Sequence, residues 1–264
     1  MESVLTPKDF RLLCRTQAHT GQTSGQCNGY VQANLVILPA KYADDFKKFC
    51  ELNPKPCPLL EMTEVPGQVE CPKFCPSGLD IRTDLPSYKV YKNGVFVDER
   101  KDITELWQED FVTFLIGCSF SFEESLLKSG VGVRHVEEKR NVPMYKTNIA
   151  CTPSGIFHGN MVVSMRPYLP DDVQKAIDIT SQFPRVHGAP VYSGEDPAEI
   201  GITDISKPDY GQSVTIKEGE RAVFWACGVT PQNVILQATD IPIVITHSPG
   251  CMLITDILNE EVKS

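Results

Sequence analysis

Strand-like and helix-like apolar patterns alternate along this sequence. Residues 30–38 form a run that is apolar enough for a buried strand. Beyond it, four apolar residues at helical spacing predict a helix that stops at Asn53-Pro54. These four residues are Tyr42, Phe46, Phe49 and Cys50. Because strands and helices alternate in this way, the sequence predicts an α/β fold built in layers.

Cap and turn residues predict where several elements begin. Thr6-Pro7 is a typical helix opening, with proline at the first helical position. Asn93-Gly94 separates two short apolar runs and predicts a β-hairpin, because both turn residues tolerate positive φ. One helix is expected to run from Asp102 or Thr104 to about Gly117. A second is expected from Ser121 to Gly130, with Ser121 and Glu124 forming a capping box.

The second half of the chain continues the alternation. Strands are expected at 131–136, 161–165, 191–192, 223–226, 243–246 and 252–255, and helices at 171–183 and after Thr230-Pro231. The elements between 131 and 192 together predict a βαβ-like unit. No Gly/Ser linker divides the chain, so a second domain is expected to be an insertion.

The charge balance argues against nucleic-acid and membrane partners. The 264 residues carry a net charge of -9, from 34 acidic and 25 basic residues, and no Lys/Arg run could follow a phosphate backbone. The longest apolar stretch, 111–119, is far shorter than the roughly 20 residues of a membrane helix. No leader pattern is present at the start, so the cytoplasm is the expected location.

The ten cysteines favour reduced thiols over a metal site. They are spread along the chain, and the one cluster ends in a C-x3-C pair instead of the C-x2-C typical of structural zinc. The cluster is formed by Cys50, Cys57, Cys71 and Cys75. Buried or loop cysteines that act as small apolar residues are the favoured interpretation.

Polar residues gather where predicted elements begin or end. Ser119 lies in the turn into a helix whose free amides could hold a carboxylate, although a capping box explains the same turn. A second stretch carries cationic, amide and hydroxyl donors that suit a dicarboxylate. These donors are Arg140, Asn141, Tyr145, Thr147 and Asn148. The more highly charged residues just before them, 134–139, are better explained as a solvated surface turn.

Two further segments supply candidate site residues. Strand alternation places Arg166 on the same face as Val162 and Ser164, where its guanidinium could meet a ligand. His158 precedes this strand, and His247 opens a turn near the end of the chain. Each histidine could transfer protons, although a lone histidine is more often structural. The histidines and Cys251 lack a fixed metal-ligand spacing, so no metal ligands are assigned.

Several of these segments resemble a known family. The motifs include Gly117-Cys118-Ser119-Phe120-Ser121-Phe122-Glu123 and Arg140-Asn141-Val142-Pro143-Met144-Tyr145. Others lie at 29–34, 53–58, 80–86, 157–159, 184–190, 224–232 and 247–256. Taken in order over nearly the whole chain, they resemble the hydro-lyase family related to D-glutamate cyclase.

The resemblance implies a fold and a division of the chain. It implies a layered αβα main domain and a smaller two-layer α+β subdomain. We assign 1–140 and 209–264 to the main domain and 141–208 to the inserted βαβ-like subdomain.

The resemblance also implies a reaction: cyclisation of D-glutamate to 5-oxo-D-proline with loss of water, without an organic cofactor. Arg140 or Arg166 would bind the α-carboxylate, and donors such as Asn148, Thr147 and Tyr145 would bind the γ-carboxyl group. His158 or His247 would transfer protons, Tyr145 is a further catalytic candidate, and Ser119 and Asn141 would contact substrate. The expected partner is a small carboxylate, and a divalent metal and a homo-oligomer stay open. A carboxylate-binding protein without turnover and a dehydratase of another small acid are the alternatives.

One position departs from the family pattern. Where relatives usually have a second histidine, in His-Ala-Pro-Gly-His-Met, this chain has Cys251. An unperturbed thiol has a pKa of about 8.5, against about 6.5 for imidazole. If this position supplied an acid or base, we would expect slower turnover or a shifted pH optimum. The other interpretation is a structural position, with His247 alone active.

Overall fold

The computed structural model describes residues 5–263. The strands are β1 (Tyr30–Pro39), β2 (Leu59–Met62), β3 (Tyr88–Lys92), β4 (Val95–Arg100), β5 (Phe111–Gly117), β6 (Met144–Ala150), β7 (Asn160–Tyr168), β8 (Arg221–Ala226), β9 (Val244–His247) and β10 (Leu253–Leu258). The helices are α1 (Pro7–Arg15), α2 (Ala43–Leu52), α3 (Phe120–Lys128), α4 (Arg134–Glu137), α5 (Pro170–Ser181) and α6 (Thr230–Ile235).

The larger sheet is built around β1. Its strand order is β2-β5-β1-β9-β3-β4, and β10 pairs with the first half of β1 beyond the end of β9. Every pairing in this sheet is antiparallel. Because β1 and β5 are buried on both faces, their sequences are mostly apolar, and their polar residues Gln32, Asn34 and Thr113 are buried as well.

Helices cover both faces of the larger sheet. On one face, Phe46 of α2 lies edge-on to Phe114 of β5, with ring centroids 4.9 Å apart. On the other face, α3 contributes Phe122 to the core cluster that contains Leu35 and Trp225. The fold is therefore mixed α/β, with helix layers on either side of a sheet.

A smaller antiparallel sheet, β6-β7-β8, packs beside the larger one. In its central strand, Ser164 pairs with Met144 on one side and Trp225 on the other. The third strand, β8, lies outside the 141–208 range assigned to the subdomain. The domain division itself stays a prediction.

Many of the predicted elements are present. Thr6 caps α1 by accepting a hydrogen bond from the backbone N–H of Asp9. The β3–β4 hairpin turns through Asn93 and Gly94, whose φ angles are 49° and 74°. Helices α2 and α5 and strands β1, β7, β8, β9 and β10 also lie within a few residues of their predicted positions. At the start of α1 and at the β3–β4 hairpin, local cap and turn residues were sufficient to predict the structure.

Other predictions were wrong. The helix expected at 102–117 is a single 3-10 turn, Thr104–Leu106, followed by the strand β5. A strand buried on both faces presents apolar residues at helical spacings as well. The strand expected at 131–136 is a loop that enters α4, and 191–192 forms only an isolated bridge between Tyr192 and Phe224. All three strands of the smaller sheet are antiparallel, so the βαβ-like unit is not formed.

The capping box predicted at Ser121 is also wrong. Helix α3 begins at Phe120, one residue earlier, and its N-cap residue makes no side-chain cap. The Ser121 hydroxyl instead accepts a hydrogen bond from the backbone N–H of Gln32, at 3.0 Å. It joins α3 to β1.

Within residues 5–263, no helix is long and apolar enough to cross a membrane. All ten cysteines are free thiols, and nine of them are buried. The same part of the chain contains no group of three or more His, Cys, Asp or Glu side chains placed to hold a metal ion.

Candidate functional site

Four segments that are distant in sequence meet where the two sheets adjoin. They are the turn after β5, the approach to β6, the turn after β8 and the turn before β10. Cys118, Val142, Cys227 and Met252, one from each segment, belong to a single apolar cluster. Polar side chains border this cluster in two places.

The first polar group surrounds Glu123, on the first turn of α3. Arg166 of β7 is completely buried and donates through Nη2 to both Glu123 and the hydroxyl of Ser119. Its Nη1 donates to Ser164 at 3.1 Å. The rings of Phe122 and Trp225 lie 5.2 and 5.4 Å from the guanidinium carbon. A buried carboxylate and a buried guanidinium thus stabilise each other inside an aromatic enclosure.

His135 completes the Glu123 group. Its Nε2 lies 3.1 Å from Glu123 Oε1, and its ring stacks against Phe120. Neither ring nitrogen has a well-aligned hydrogen bond among residues 5–263. Burial alone would raise the pKa of Glu123, but His135 and Arg166 outweigh it and hold that pKa below its usual value. Glu123 is therefore a charged acceptor beside a buried imidazole.

A small cavity adjoins this group. It has a volume of about 110 Å³ and is lined by Gly29, Gln32, Phe120, Glu123, Glu124 and Asn259, among others. The cavity connects the charged centre with the glycine-rich loop that precedes β1. It is large enough for a few non-hydrogen atoms.

The second polar group is the turn after β9. His247 is buried, and its Nδ1 accepts a hydrogen bond from the backbone N–H of Leu35 at 3.1 Å. This places the ring proton on Nε2, which has no partner in the described part of the chain. Burial lowers the pKa of His247 to about 4, so the ring is neutral near pH 7. Asn141 reaches the same turn, with its Nδ2 at 3.4 Å from Pro249 O.

Cys251 lies at the end of this turn. Its thiol is directed at the carbonyl of Gly21, 3.5 Å away. Burial raises the pKa of Cys251 to about 11, so the group stays a neutral thiol near pH 7. It is not a base under these conditions.

The structure separates the remaining predicted site residues. Arg140 is exposed and donates to the carbonyl of Ser213, and exposed Asn148 donates to that of Glu199. Tyr145 is buried, and its hydroxyl donates to Ile205 O at 2.6 Å. Of the nine predicted residues, Ser119 and Arg166 lie together, and Asn141 lies at the His247 turn.

A further pair lies in one groove. Thr147 and the exposed His158 line an open groove beside β6, although the Thr147 hydroxyl already donates to Met161 O. Burial raises the pKa of Tyr145 well above its usual value, so its hydroxyl remains protonated. The nine residues therefore occupy several hydrogen-bonding environments instead of one site.

Comparison with known proteins identifies the family. A family model described as D-glutamate cyclase matches residues 112–256. Proteins from Geobacillus kaustophilus and Clostridium beijerinckii, each named "Putative hydro-lyase", are both 53% identical, over 98% and 99% of this chain and 97% and 98% of their own. One of that name from Azorhizobium caulinodans is 56% identical, over 99% of this chain and 95% of its own. The chain belongs to the D-glutamate cyclase family.

This confirms the resemblance seen in the sequence and supports a hydro-lyase role. Both polar groups, the one around Glu123 and the one at His247, lie inside the segment that matches the D-glutamate cyclase family. The specific substrate is a separate question, addressed below.

Two residues of the Glu123 group were missed by the sequence reasoning. Glu123 belongs to a motif that was quoted, and its position four residues after Ser119 places both on one helix face. His135 was counted with a solvated surface turn, which is wrong. Arg134 and His135 are both buried, and Arg134 is paired with Glu220.

Proposed function

We propose that this protein is a hydro-lyase that cyclises D-glutamate to 5-oxo-D-proline. The observation that carries the proposal is the buried Glu123, held charged by Arg166 beside the imidazole of His135 and a small cavity. Family membership supports the same class of reaction. Buried carboxylate and imidazole groups in contact are typical of proton transfer.

The reaction balances without a co-reactant. The α-ammonium loses two protons, its nitrogen bonds to the γ-carboxyl carbon, and one carboxyl oxygen leaves as water with those two protons. In this proposal Glu123 accepts a proton from the ammonium, and His135, which contacts Glu123, acts on the substrate only through that carboxylate. Arg166 holds Glu123 in place and in its charged form.

The residues predicted from sequence remain part of the proposal. His247 or His158 would transfer protons in an alternative assignment, with Arg140 or Arg166 at the α-carboxylate. The buried Nε2 of His247 has no partner within residues 5–263, whereas His158 is exposed in an open groove. If His158→Ala and His247→Ala both keep full activity, that assignment is eliminated, while the Glu123 assignment stands.

A binding protein without turnover is the second candidate. The observation that favours it is the Cys251 thiol, which stays neutral where relatives usually carry an imidazole. A ligand that binds only the folded protein would then raise its melting temperature without being consumed.

The test is proton NMR of the purified protein with D-glutamate, L-glutamate and a panel of small hydroxy acids, with and without a divalent metal. We expect 5-oxo-D-proline from D-glutamate alone, and a loss of about 100-fold or more in kcat/KM for Glu123→Gln. Glu51→Gln, on the exposed face of α2, is the matched control and should keep wild-type activity. A melting shift without product would instead support the binding protein and make Cys251→His the next variant.

A further inference from the structure

The charged side chains that line the cavity beside Glu123 are all acidic. Its complete lining contains two carboxylates, Glu123 and Glu124, and no Lys, Arg or His. Arg166 and His135 contact Glu123 but do not line the cavity. The cavity walls therefore carry two negative charges, and the cations that pair with them, Arg166 and Lys128, lie outside the lining.

Two amide side chains add unpaired acceptors to these walls. Gln32 and Asn259 are each 4% exposed, and both line the cavity. The Nε2 of Gln32 is committed to the carbonyls of Thr23 and Gln26, so its Oε1 is left without a partner among the described residues. Asn259 Oδ1 lacks one as well. A buried oxygen that accepts no hydrogen bond destabilises the folded protein, unless a bound ligand donates one.

We infer that this cavity binds a primary ammonium group and selects amino acids over hydroxy acids, an inference that rests on the proposed function of the same site. An ammonium offers three donors and one positive charge, which matches the carboxylate and amide oxygens on the walls. A substrate carboxylate would meet two like charges there. Phe120 and Tyr30 also line the cavity, and aromatic rings attract organic cations.

Glu124 is the best position at which to test this. Its carboxylate pairs with the exposed Lys128 at 2.9 Å on the outer side of α3. On the cavity side it borders Gly29, where an added Cβ would lie 3.5 Å from Glu124 Oε2. Glu124→Gln and Lys128→Gln both remove the same surface ion pair, but only Glu124→Gln removes a charge from the cavity wall.

The experiment is calorimetric titration of wild type and both variants with D-glutamate and with glutarate, which has the same two carboxylates and no amine. We expect wild type to bind D-glutamate about tenfold or more tightly than glutarate. Glu124→Gln should reduce this preference by about threefold or more, and Lys128→Gln should leave it unchanged or increase it. With turnover, Glu124→Gln should raise KM with little change in kcat.

The inference is overturned if glutarate binds as tightly as D-glutamate, if both variants change the preference equally, or if neither compound binds. These outcomes are separate from those for the reaction. If binding prefers the amine and depends on Glu124 but no 5-oxo-D-proline forms, the ammonium-site inference stands and the cyclase proposal is wrong. If 5-oxo-D-proline forms and Glu124→Gln does not change its formation, the cyclase proposal stands and the ammonium-site inference is wrong.

Discussion

Charged and titratable side chains in the interior decide much of this protein's behaviour. Arg166 is stable there because its guanidinium donates to Glu123, Ser119 and Ser164. Removing one member of such a buried pair leaves an uncompensated charge, which costs more than the pair contributes. The Glu123→Gln variant must therefore be checked for folding before its activity is interpreted.

Two buried histidines are neutral near pH 7 because burial disfavours their charged form. Burial lowers the pKa of both His187 and His247 to about 4. His187 Nδ1 lies 2.8 Å from the carbonyl of Lys55, and its backbone has a positive φ of 87°. Both rings hold segments near the site in place as uncharged hydrogen-bonding groups.

These histidines predict a loss of stability in mild acid. In the unfolded chain they bind protons below about pH 6.5, whereas in the folded chain they do so only near pH 4. Stability from this source is thus complete above pH 6.5 and is lost as the pH falls towards 4. Each histidine should lower the free energy of unfolding by about 2 kcal/mol between pH 7.5 and pH 5.

Urea denaturation at these two pH values, for wild type and His247→Asn, measures the effect. Asparagine keeps an acceptor for the Leu35 N–H but does not titrate. The variant should show a smaller pH-dependent loss than wild type, whatever its absolute stability. His158→Asn, at an exposed position, should keep the wild-type dependence. A pH-dependent loss identical in His247→Asn and wild type would contradict the expectation.

At the scale of elements, the turn from β5 into α3 sets the geometry of the site. Gly117 ends β5 at the point where the 184–186 turn crosses it, and a Cβ at Gly117 would collide with the Arg185 carbonyl. Asn34 of β1 donates to Gly117 O at 2.8 Å from the neighbouring strand. The direction of α3, and hence of Glu123, is fixed by these close backbone contacts.

Gly117→Ala should therefore be destabilising by about 1–3 kcal/mol, because the crossing backbones must separate. Gly21→Ala is the matched control, since its Cβ would meet only the end of the His19 ring at 3.9 Å. We expect the control to stay within about 0.5 kcal/mol of wild type. Thermal or urea unfolding of both variants decides the matter, and equal stability of the two would show that the crossing is not tight.

Local sequence determined some elements and not others. The hairpin at Asn93-Gly94 and the start of α1 were predictable because the deciding interactions lie within a few residues. The segment 111–117 was not, because its strand form depends on pairing with β1 and β2. Ser121 was likewise assigned a local cap but bonds to β1.

The candidate site shows the same division. Arg166 and Ser119 were predictable from motif and strand face, and they do lie together. The contact of His135 with Glu123 was not, because α4 reaches α3 through a loop that no periodicity describes. A carboxylate such as Glu123 is buried where the fold places a cation beside it, and the sequence around the carboxylate does not reveal that cation.

Across the whole molecule, one buried ion pair joins the first helix to the last strand. Arg11 of α1 is 1% exposed, and its Nη2 lies 2.8 Å from Asp256 of β10. It also donates to Ser77 and to the carbonyl of Ile254. Three distant parts of the chain depend on this guanidinium.

Asp256→Asn should lower the free energy of unfolding by about 3 kcal/mol, because Arg11 would stay buried without its counter-charge. Glu260→Gln is the control, since its partner Lys263 lies near the surface and such pairs contribute about 0–1 kcal/mol. Urea unfolding followed by fluorescence and by circular dichroism compares the two. A similar small loss in both variants would mean that Arg11 finds other partners.

The position of β1 at the centre of the larger sheet has a consequence for synthesis in the cell. The hydrogen bond between Leu35 and His247 spans 212 positions, and β9 and β10 leave the ribosome after the other described strands. At about 5–20 residues per second, β1 must wait roughly 10–40 seconds for these partners. During that time the nascent chain presents an uncovered strand edge, which makes β1 the segment where a holding chaperone would bind.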